Sequence, residues 1–151
     1  MNERSSLAAM EPMFRAVITG GGVFTLKPRG NSMRPTIVPG RDTVSIVALE
    51  GRASLYDILF YKRPDGQFVL HRVAAVEQDS YTLCGDYQVD FEYGVKDDWI
   101  IGVVSEILTP RGTLTRGDPA FLAAARRRVR NRPFRVLRHR AAALYHKIIG
   151  K

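Results

Sequence analysis

Cysteine and histidine are scarce in this sequence of 151 residues. Cys84 is the one cysteine, which excludes an internal disulfide and a cysteine-rich metal site. The three histidines, His71, His139 and His146, leave little scope for a metal cluster. We therefore expect no metal and no cofactor, and we interpret Cys84 as a small core residue.

Long apolar runs are also missing. No run approaches the roughly 18–20 residues that a membrane-spanning helix needs. The N-terminal stretch "MNERSSLAAMEPMFRAVITGGG" contains acidic residues and no long apolar centre, so it does not resemble a signal peptide. We expect a cytoplasmic protein, with peripheral attachment to a membrane as the alternative. The composition, 45% apolar and 25% charged, is typical of a globular protein with a real core.

Acidic residues almost disappear after residue 117. Residues 1–117 contain 13 Lys and Arg against 14 Asp and Glu, whereas residues 118–151 contain 10 Lys and Arg and only Asp118. The net charge of +8 is therefore a property of the C-terminal tail. It carries no direct information about the chemistry of the rest of the chain.

Short runs rich in β-branched and aromatic residues fill the first part of the chain. Residues 10–18 predict a short helix or strand, ended by glycines 20–22. The runs that follow predict strands, and they are "VFTLKP", "DTVSIVAL", "DILFYKR", "QFVLHRVAAVE", "SYTLCGD" and "WIIGVVSEIL". "RPDGQF" predicts a tight hairpin, because Asp-Gly tolerates positive φ. Six or seven such strands predict a mainly β domain over residues 1–117, an antiparallel, barrel-like folded sheet.

A helical period replaces this pattern in residues 118–151. Asp118 can cap a helix, Pro119 fits its first position, and Pro133 interrupts it. The second half has an apolar face formed by Phe134, Leu137, Ala141, Leu144 or Tyr145, and Ile148. This basic amphipathic tail could contact an anionic membrane surface, a partner protein or nucleic acid, of which we do not favour nucleic acid. Alternatively, its apolar stripe packs on the β domain.

The stretch "KPRGNSMRPTIVPGRD" raises the question of a nucleophile. A serine needs a base nearby and donors for an oxyanion. Gly30 permits a close approach, and the N–H of Ser32 could face an incoming carbonyl. A stretch with Gly, Asn and Ser is also a common turn, so both interpretations stay open on the residues alone.

His71 is the candidate base, because it lies in the apolar strand "FVLHRVAAV". Strand alternation places Val69, His71 and Val73 on one face. A buried imidazole needs a hydrogen-bond partner, so His71 is either a core histidine bonded to a carbonyl or a functional group.

Several of these elements, taken in order, resemble the signal peptidase I and LexA-type clan of serine endopeptidases. They are "GNSMRPTIVPGRDTV", "LYDILFY", "VLHRVAAV", "YTLCGD" and "IIGVVSEI", over more than half of the chain. The resemblance implies that Ser32 is the nucleophile and that His71 occupies the base position. The His-Arg pair is similar to the endoplasmic-reticulum and archaeal type of signal peptidase, whereas most bacterial relatives have lysine there.

The resemblance also implies further roles for residues around this pair. Asp86 matches the Gly-Asp element, while Asp90 and Glu92 are alternative acids that could orient the imidazole. Asp86 is equally interpretable as a structural partner of Arg72. The resemblance implies small substrate side chains at the cut, and we assign Gly30 and Met33 to substrate binding. An extended peptide could lie between the strands "VFTLKP" and "QFVLHRV", with its scissile carbonyl at Ser32.

The chain departs from the family in having no membrane-spanning segment and no helix-turn-helix ahead of Val23. We therefore expect a serine endopeptidase that removes a leader or signal-like peptide through an acyl-enzyme. The alternative is a non-catalytic peptide-binding module of the same fold, whose basic tail docks a membrane, protein or nucleic acid.

Overall fold

The structure is a computed structural model that describes residues 3–150, with side chains described in residues 6–150. An antiparallel sheet of eight strands and three α-helices make up this part of the chain. The helices are α1 (Glu3–Thr19), α2 (Pro119–Arg130) and α3 (Arg132–Ile149). The strands are β1 (Phe24–Leu26), β2 (Thr43–Val47), β3 (Ile58–Lys62), β4 (Phe68–Val76), β5 (Tyr81–Cys84), β6 (Glu92–Val95), β7 (Ile100–Thr109) and β8 (Gly112–Thr115).

The mainly β class predicted from the sequence is confirmed, and the six predicted runs correspond to β1–β5 and β7. Two short strands were not singled out. β6 contains Gly94, and β8 comes directly after the turn at residues 110–111. Both strands are short and have few of the apolar residues that mark a strand in a sequence. α1 is longer than the segment 10–18 predicted as a short helix or strand.

The sheet has the strand order β1-β2-β7-β3-β4-β5-β6, and within residues 3–150 it is not closed. β7 is its longest strand and is shared by two neighbours on one side. Its first half pairs with β3, from Ile100 to Val103, and its second half pairs with β8, from Glu106 to Thr109. Its other side pairs with β2. β7 therefore pairs with three of the other strands of the sheet.

The predicted hairpin at "RPDGQF" is confirmed between β3 and β4. Arg63 N–H donates to the carbonyl of Gln67 at 2.9 Å, and Gly66 has a φ of 88°. Only glycine adopts this left-handed conformation without strain. The turn fixes the register, so that Tyr61 pairs with Val69 and Leu59 pairs with His71.

Each face of the sheet carries its own apolar cluster, because side chains alternate along each strand. On β3, Ile58 and Phe60 belong to one cluster, while Leu59 and Tyr61 belong to the other. All four are buried, which explains why β3 is an unbroken apolar run in the sequence. The first cluster is covered by α1, from which Phe14 inserts between aromatic rings at 5.1–5.6 Å.

The C-terminal tail forms two helices that meet at residue 131. α2 begins at Pro119 after Asp118, as predicted, although the Asp118 side chain forms no capping hydrogen bond. α2 packs on the sheet through Phe121 and Ala125, both buried. None of the helices in the described residues is long and apolar enough to cross a membrane.

The apolar stripe of α3 does not pack on the β domain, which corrects that interpretation of the sequence. Phe134 and Leu137 are 72% and 67% exposed, and α3 has no buried residue. The helix instead attaches through its first turns, as described below.

Candidate functional site

A cleft of about 330 Å³ brings the predicted site residues together. Gly30, Ser32 and Met33 form one wall. Residues 68–71, at the start of β4 and including His71, form another. The sequence-predicted nucleophile, base and substrate-binding residues therefore line one cleft. Leu7 and Leu26 add an apolar portion from α1 and β1.

The serine loop, residues 27–42, is held in place by a buried methionine. Met33 is 4% exposed and packs into the first apolar cluster beside Ile37, whose N–H donates to the Met33 carbonyl at 3.0 Å. Gly30 has a φ of 82°, a conformation that favours glycine. Anchoring on Met33 leaves the neighbouring Ser32 at the edge of the core, where it lines the cleft.

The Gly-Asp turn, residues 85–88, packs directly against Ser32. Tyr87 N–H donates to the Ser32 carbonyl at 2.9 Å. A Cβ atom on Gly85 would lie 2.5 Å from the same carbonyl oxygen and 3.1 Å from the Ser32 Cβ. Since real Cβ atoms do not approach backbone that closely, glycine at position 85 lets this turn contact the serine.

Asp86 is engaged by Arg72 rather than by His71. The Asp86 oxygens accept bonds from Arg72 Nε and Nη2 at 2.7 and 2.8 Å, and both side chains are 2% exposed. Thr36 of the serine loop also donates to Asp86. Of the two interpretations left open by the sequence, the structure shows the contact with Arg72.

His71 has its Nδ1 directed toward Tyr61 and Glu92. The Tyr61 Oη lies 3.3 Å from Nδ1, and Glu92 Oε2 lies 3.9 Å from it. Tyr61 donates its hydroxyl proton to Glu92 at 2.5 Å, so toward His71 it can only accept. This network assigns the proton of a neutral imidazole to Nδ1 and leaves a lone pair on Nε2.

Arg63 fixes Glu92 in this position. Its Nε and Nη2 each donate to a Glu92 oxygen at 2.8 Å, a bidentate pair of the strong kind. Burial tends to raise the pKa of Glu92, but the bonds from Arg63 and Tyr61 outweigh it and hold the pKa below its usual value. Burial and the hydrogen bond to Glu92 raise the pKa of Tyr61.

The same surroundings make His71 a weak base. Burial, reinforced by the positive charge of Arg63, lowers its pKa to about 4, although Glu92 and Asp86 oppose the shift. The imidazole is therefore neutral near pH 7, as a general base must be before it takes a proton.

Of the three candidate acids, Glu92 is the one beside the imidazole. Asp90 has an exposed side chain, and its backbone carbonyl accepts a bond from the buried Cys84 Sγ at 3.3 Å. Asp86 is committed to Arg72 and Thr36. Glu92 reaches His71 mainly through the Tyr61 hydroxyl.

The serine and histidine line the same cleft without a hydrogen bond between them. Within residues 3–150, neither Ser32 Oγ nor His71 Nε2 has a hydrogen-bond partner, and both residues line the cleft. Such contacts between catalytic groups are often long before substrate binds.

Tyr61 and Arg63 were not identified from the sequence as site residues. The predicted hairpin could have identified Tyr61. Its register makes Tyr61 a diagonal neighbour of His71 on the same face of the sheet. The contact with Glu92 depends on β6, and no strand was predicted there.

No family model, no curated protein and no solved structure matches this chain.

Replacing Asp86 by alanine should lower the free energy of unfolding by about 3–5 kcal/mol, because it leaves the buried Arg72 charge without its partner. Asp90→Ala is the matched control, since it removes an exposed carboxylate nearby and should change stability by less than about 0.5 kcal/mol. Urea unfolding of both variants measures the difference. Equal stability of the two variants would show that the ion pair does not hold this region together.

His71 should titrate with a midpoint near pH 4, because burial and Arg63 disfavour the imidazolium. The proton NMR signal of its ring, assigned by its loss in His71→Gln, measures this directly. Since the unfolded chain takes up this proton near pH ~6.5, stability should fall as the pH drops from there toward 4, and His71→Gln should flatten that slope. A midpoint at or above 6.5 would contradict the described environment.

Proposed function

We propose that this chain is a serine endopeptidase of the signal peptidase and LexA-like type, with Ser32 as the nucleophile and His71 as the general base. One observation carries the proposal. Ser32 and His71 line one cleft, and the contact of Nδ1 with Tyr61 leaves the lone pair of the neutral imidazole on Nε2. This is the tautomer that a base needs to accept a serine proton.

The chemistry follows the usual course of acyl transfer. Ser32 Oγ attacks the carbonyl carbon of the scissile bond and passes its proton to His71 Nε2. The C–N bond then breaks, and the imidazolium gives the proton to the departing amine. Water, activated by His71, hydrolyses the resulting ester and restores the serine hydroxyl. Glu92, acting through Tyr61, stabilises the transient imidazolium by its charge.

The serine loop supplies a donor for the oxyanion. Within the described chain, the backbone N–H of Ser32 forms no hydrogen bond, and the Ser32 carbonyl is fixed by Tyr87. The Ser32 N–H belongs to the peptide group of the Asn31 carbonyl, which accepts a bond from Arg34 N–H at 3.1 Å. A peptide N–H held in this way offers a fixed dipole to the carbonyl oxygen of a substrate attacked by Ser32. Gly30 leaves that side of the loop without a side chain.

Two strand edges near the cleft suit an extended peptide. In the described residues, β5 pairs with β4 only from Arg72 onward, so residues 68–71 keep one edge without a strand partner. β1 pairs only with β2 and forms an end of the sheet. A peptide lying between these edges would gain main-chain hydrogen bonds, and Leu26 and Leu70 would contact its apolar side chains.

A peptide-binding module without turnover is the second candidate. The observation in its favour is the lowered pKa of His71, which makes proton uptake costly. The lack of a hydrogen bond between Ser32 and His71 within the described residues is in keeping with it as well.

Peptide cleavage distinguishes the two candidates. The wild-type chain, incubated with a mixture of synthetic peptides, should yield defined cleavage products by mass spectrometry. Ser32→Ala and His71→Gln should each reduce the rate at least about a thousandfold, because each removes a group that changes bonding in the reaction. Ser54→Ala is the control and should cleave at the wild-type rate, since Ser54 is exposed and does not line the cleft.

Cleavage that persists in both Ser32→Ala and His71→Gln would overturn the peptidase proposal. Peptide binding without cleavage, measured by fluorescence polarisation on the wild-type chain, would favour the binding module instead.

A further inference from the structure

α3 presents an apolar surface that the β domain leaves uncovered. Phe134, Leu137 and Ile148 are 72%, 67% and 66% exposed, and Leu144 and Tyr145 are 59% and 61% exposed. At about 100° per residue, these five side chains fall within an arc of about 100°. They form one continuous stripe along the helix, which we call the α3 stripe.

The opposite side of α3 attaches to the β domain. Arg132 Nη2 donates to the Val89 carbonyl, and its guanidinium lies 3.6 Å from the centre of the Phe91 ring. About two turns further on, the His139 ring lies 6.4 Å from the Tyr87 ring. Arg132 and His139 are roughly half a turn away from the α3 stripe, at about 100° per residue. The stripe therefore points away from the β domain.

The charges around the α3 stripe are of one sign. Arg140 and Lys147 lie along one edge of the stripe, and Arg138 lies along the other. From residue 119 to residue 151 the sequence contains no Asp or Glu. A partner that covers this surface must accept apolar side chains in its interior and offer negative charge beside them.

We propose that α3 lies on the surface of an anionic lipid bilayer, with the α3 stripe among the acyl chains and its arginines at the phosphates. Phenylalanine, leucine and isoleucine supply buried area, while Tyr145 places a ring with a polar tip at the interface. Long basic side chains keep their charge at the headgroups as their stems enter the apolar layer. Each cation near an anionic surface adds to the attraction.

Binding of α3 to a bilayer does not depend on the chemistry of Ser32, but it affects the surroundings of the cleft. Arg132 donates a hydrogen bond to residue 89 and packs on the ring of residue 91, and both residues lie between the Gly-Asp turn and Glu92. A bilayer-bound α3 therefore holds the chain next to the segment that carries the candidate orienting acid. Substrates attached to the same bilayer would meet the cleft at high local concentration.

Co-sedimentation of the full chain with lipid vesicles tests the proposal. Vesicles of equal parts phosphatidylglycerol and phosphatidylcholine should bind the wild-type chain, and vesicles of phosphatidylcholine alone should bind it much more weakly. Leu137→Gln with Leu144→Gln should weaken binding by at least about tenfold, because the change removes two apolar contacts. Raising the salt concentration should also weaken it, since screening reduces the attraction of surface charges.

Leu55→Gln with Leu108→Gln is the matched control, because these leucines are 44% and 43% exposed on the β domain. This variant should bind vesicles as the wild type does. The proposal is overturned if anionic vesicles do not bind the chain, or if both double variants lose binding equally. It is also overturned if the α3 variant changes only self-association in sedimentation velocity, which would make a second copy of the chain the partner.

Discussion

The buried ion pair between Arg72 and Asp86 connects the parts of the chain that form the cleft. Arg72 follows His71 on β4, and Asp86 follows Gly85 in the turn that packs on Ser32. Thr36 of the serine loop donates to the same carboxylate. A lone charge at this depth would be costly, so the ion pair couples the stability of the strand, the turn and the loop.

Adjacent residues on β4 serve opposite faces of the sheet. His71 points toward Tyr61 in the second apolar cluster, while Arg72 points toward Asp86 and packs near Phe121 of α2, at 5.4 Å from the ring centre. The pleat directs the two side chains to opposite faces of the sheet. On its own face, the Arg72 guanidinium is already paired with the Asp86 carboxylate. Strand geometry thus lets one dipeptide place an imidazole at the cleft and a buried cation on the opposite face of the sheet.

The strands and the hairpin could be predicted because they depend on local pattern. Period-two alternation, β-branched residues and the Asp-Gly turn act over a few residues, and each is legible in the sequence. β6 was missed because its residues are few and mostly solvated, and its pairing with β5 is decided by the rest of the sheet.

The candidate site could be predicted only in part for a similar reason. Ser32, Gly30, Met33 and His71 were named from the sequence, and the structure brings them to one cleft. The choice among Asp86, Asp90 and Glu92 depended on contacts between distant segments. Sequence order cannot decide which carboxylate a buried arginine takes.

The exposure of the apolar face of α3 shows the same limit on the scale of a helix. The helical periodicity correctly predicted the apolar face of α3. It could not predict which face of the helix contacts the β domain. The contact is made by the Arg132 guanidinium, which packs on the ring of Phe91. A charged side chain such as Arg132 is ordinarily expected to face solvent.

Reaction of the chain with a fluorophosphonate tests most directly whether Ser32 and His71 act as one site. An activated serine oxygen attacks phosphorus and expels fluoride, which leaves a stable adduct that mass spectrometry can locate. The account predicts one adduct, at Ser32. It should form much more slowly in His71→Gln than in the wild type, although both proteins are folded. An adduct at other serines only, or equal rates in the two proteins, would contradict it.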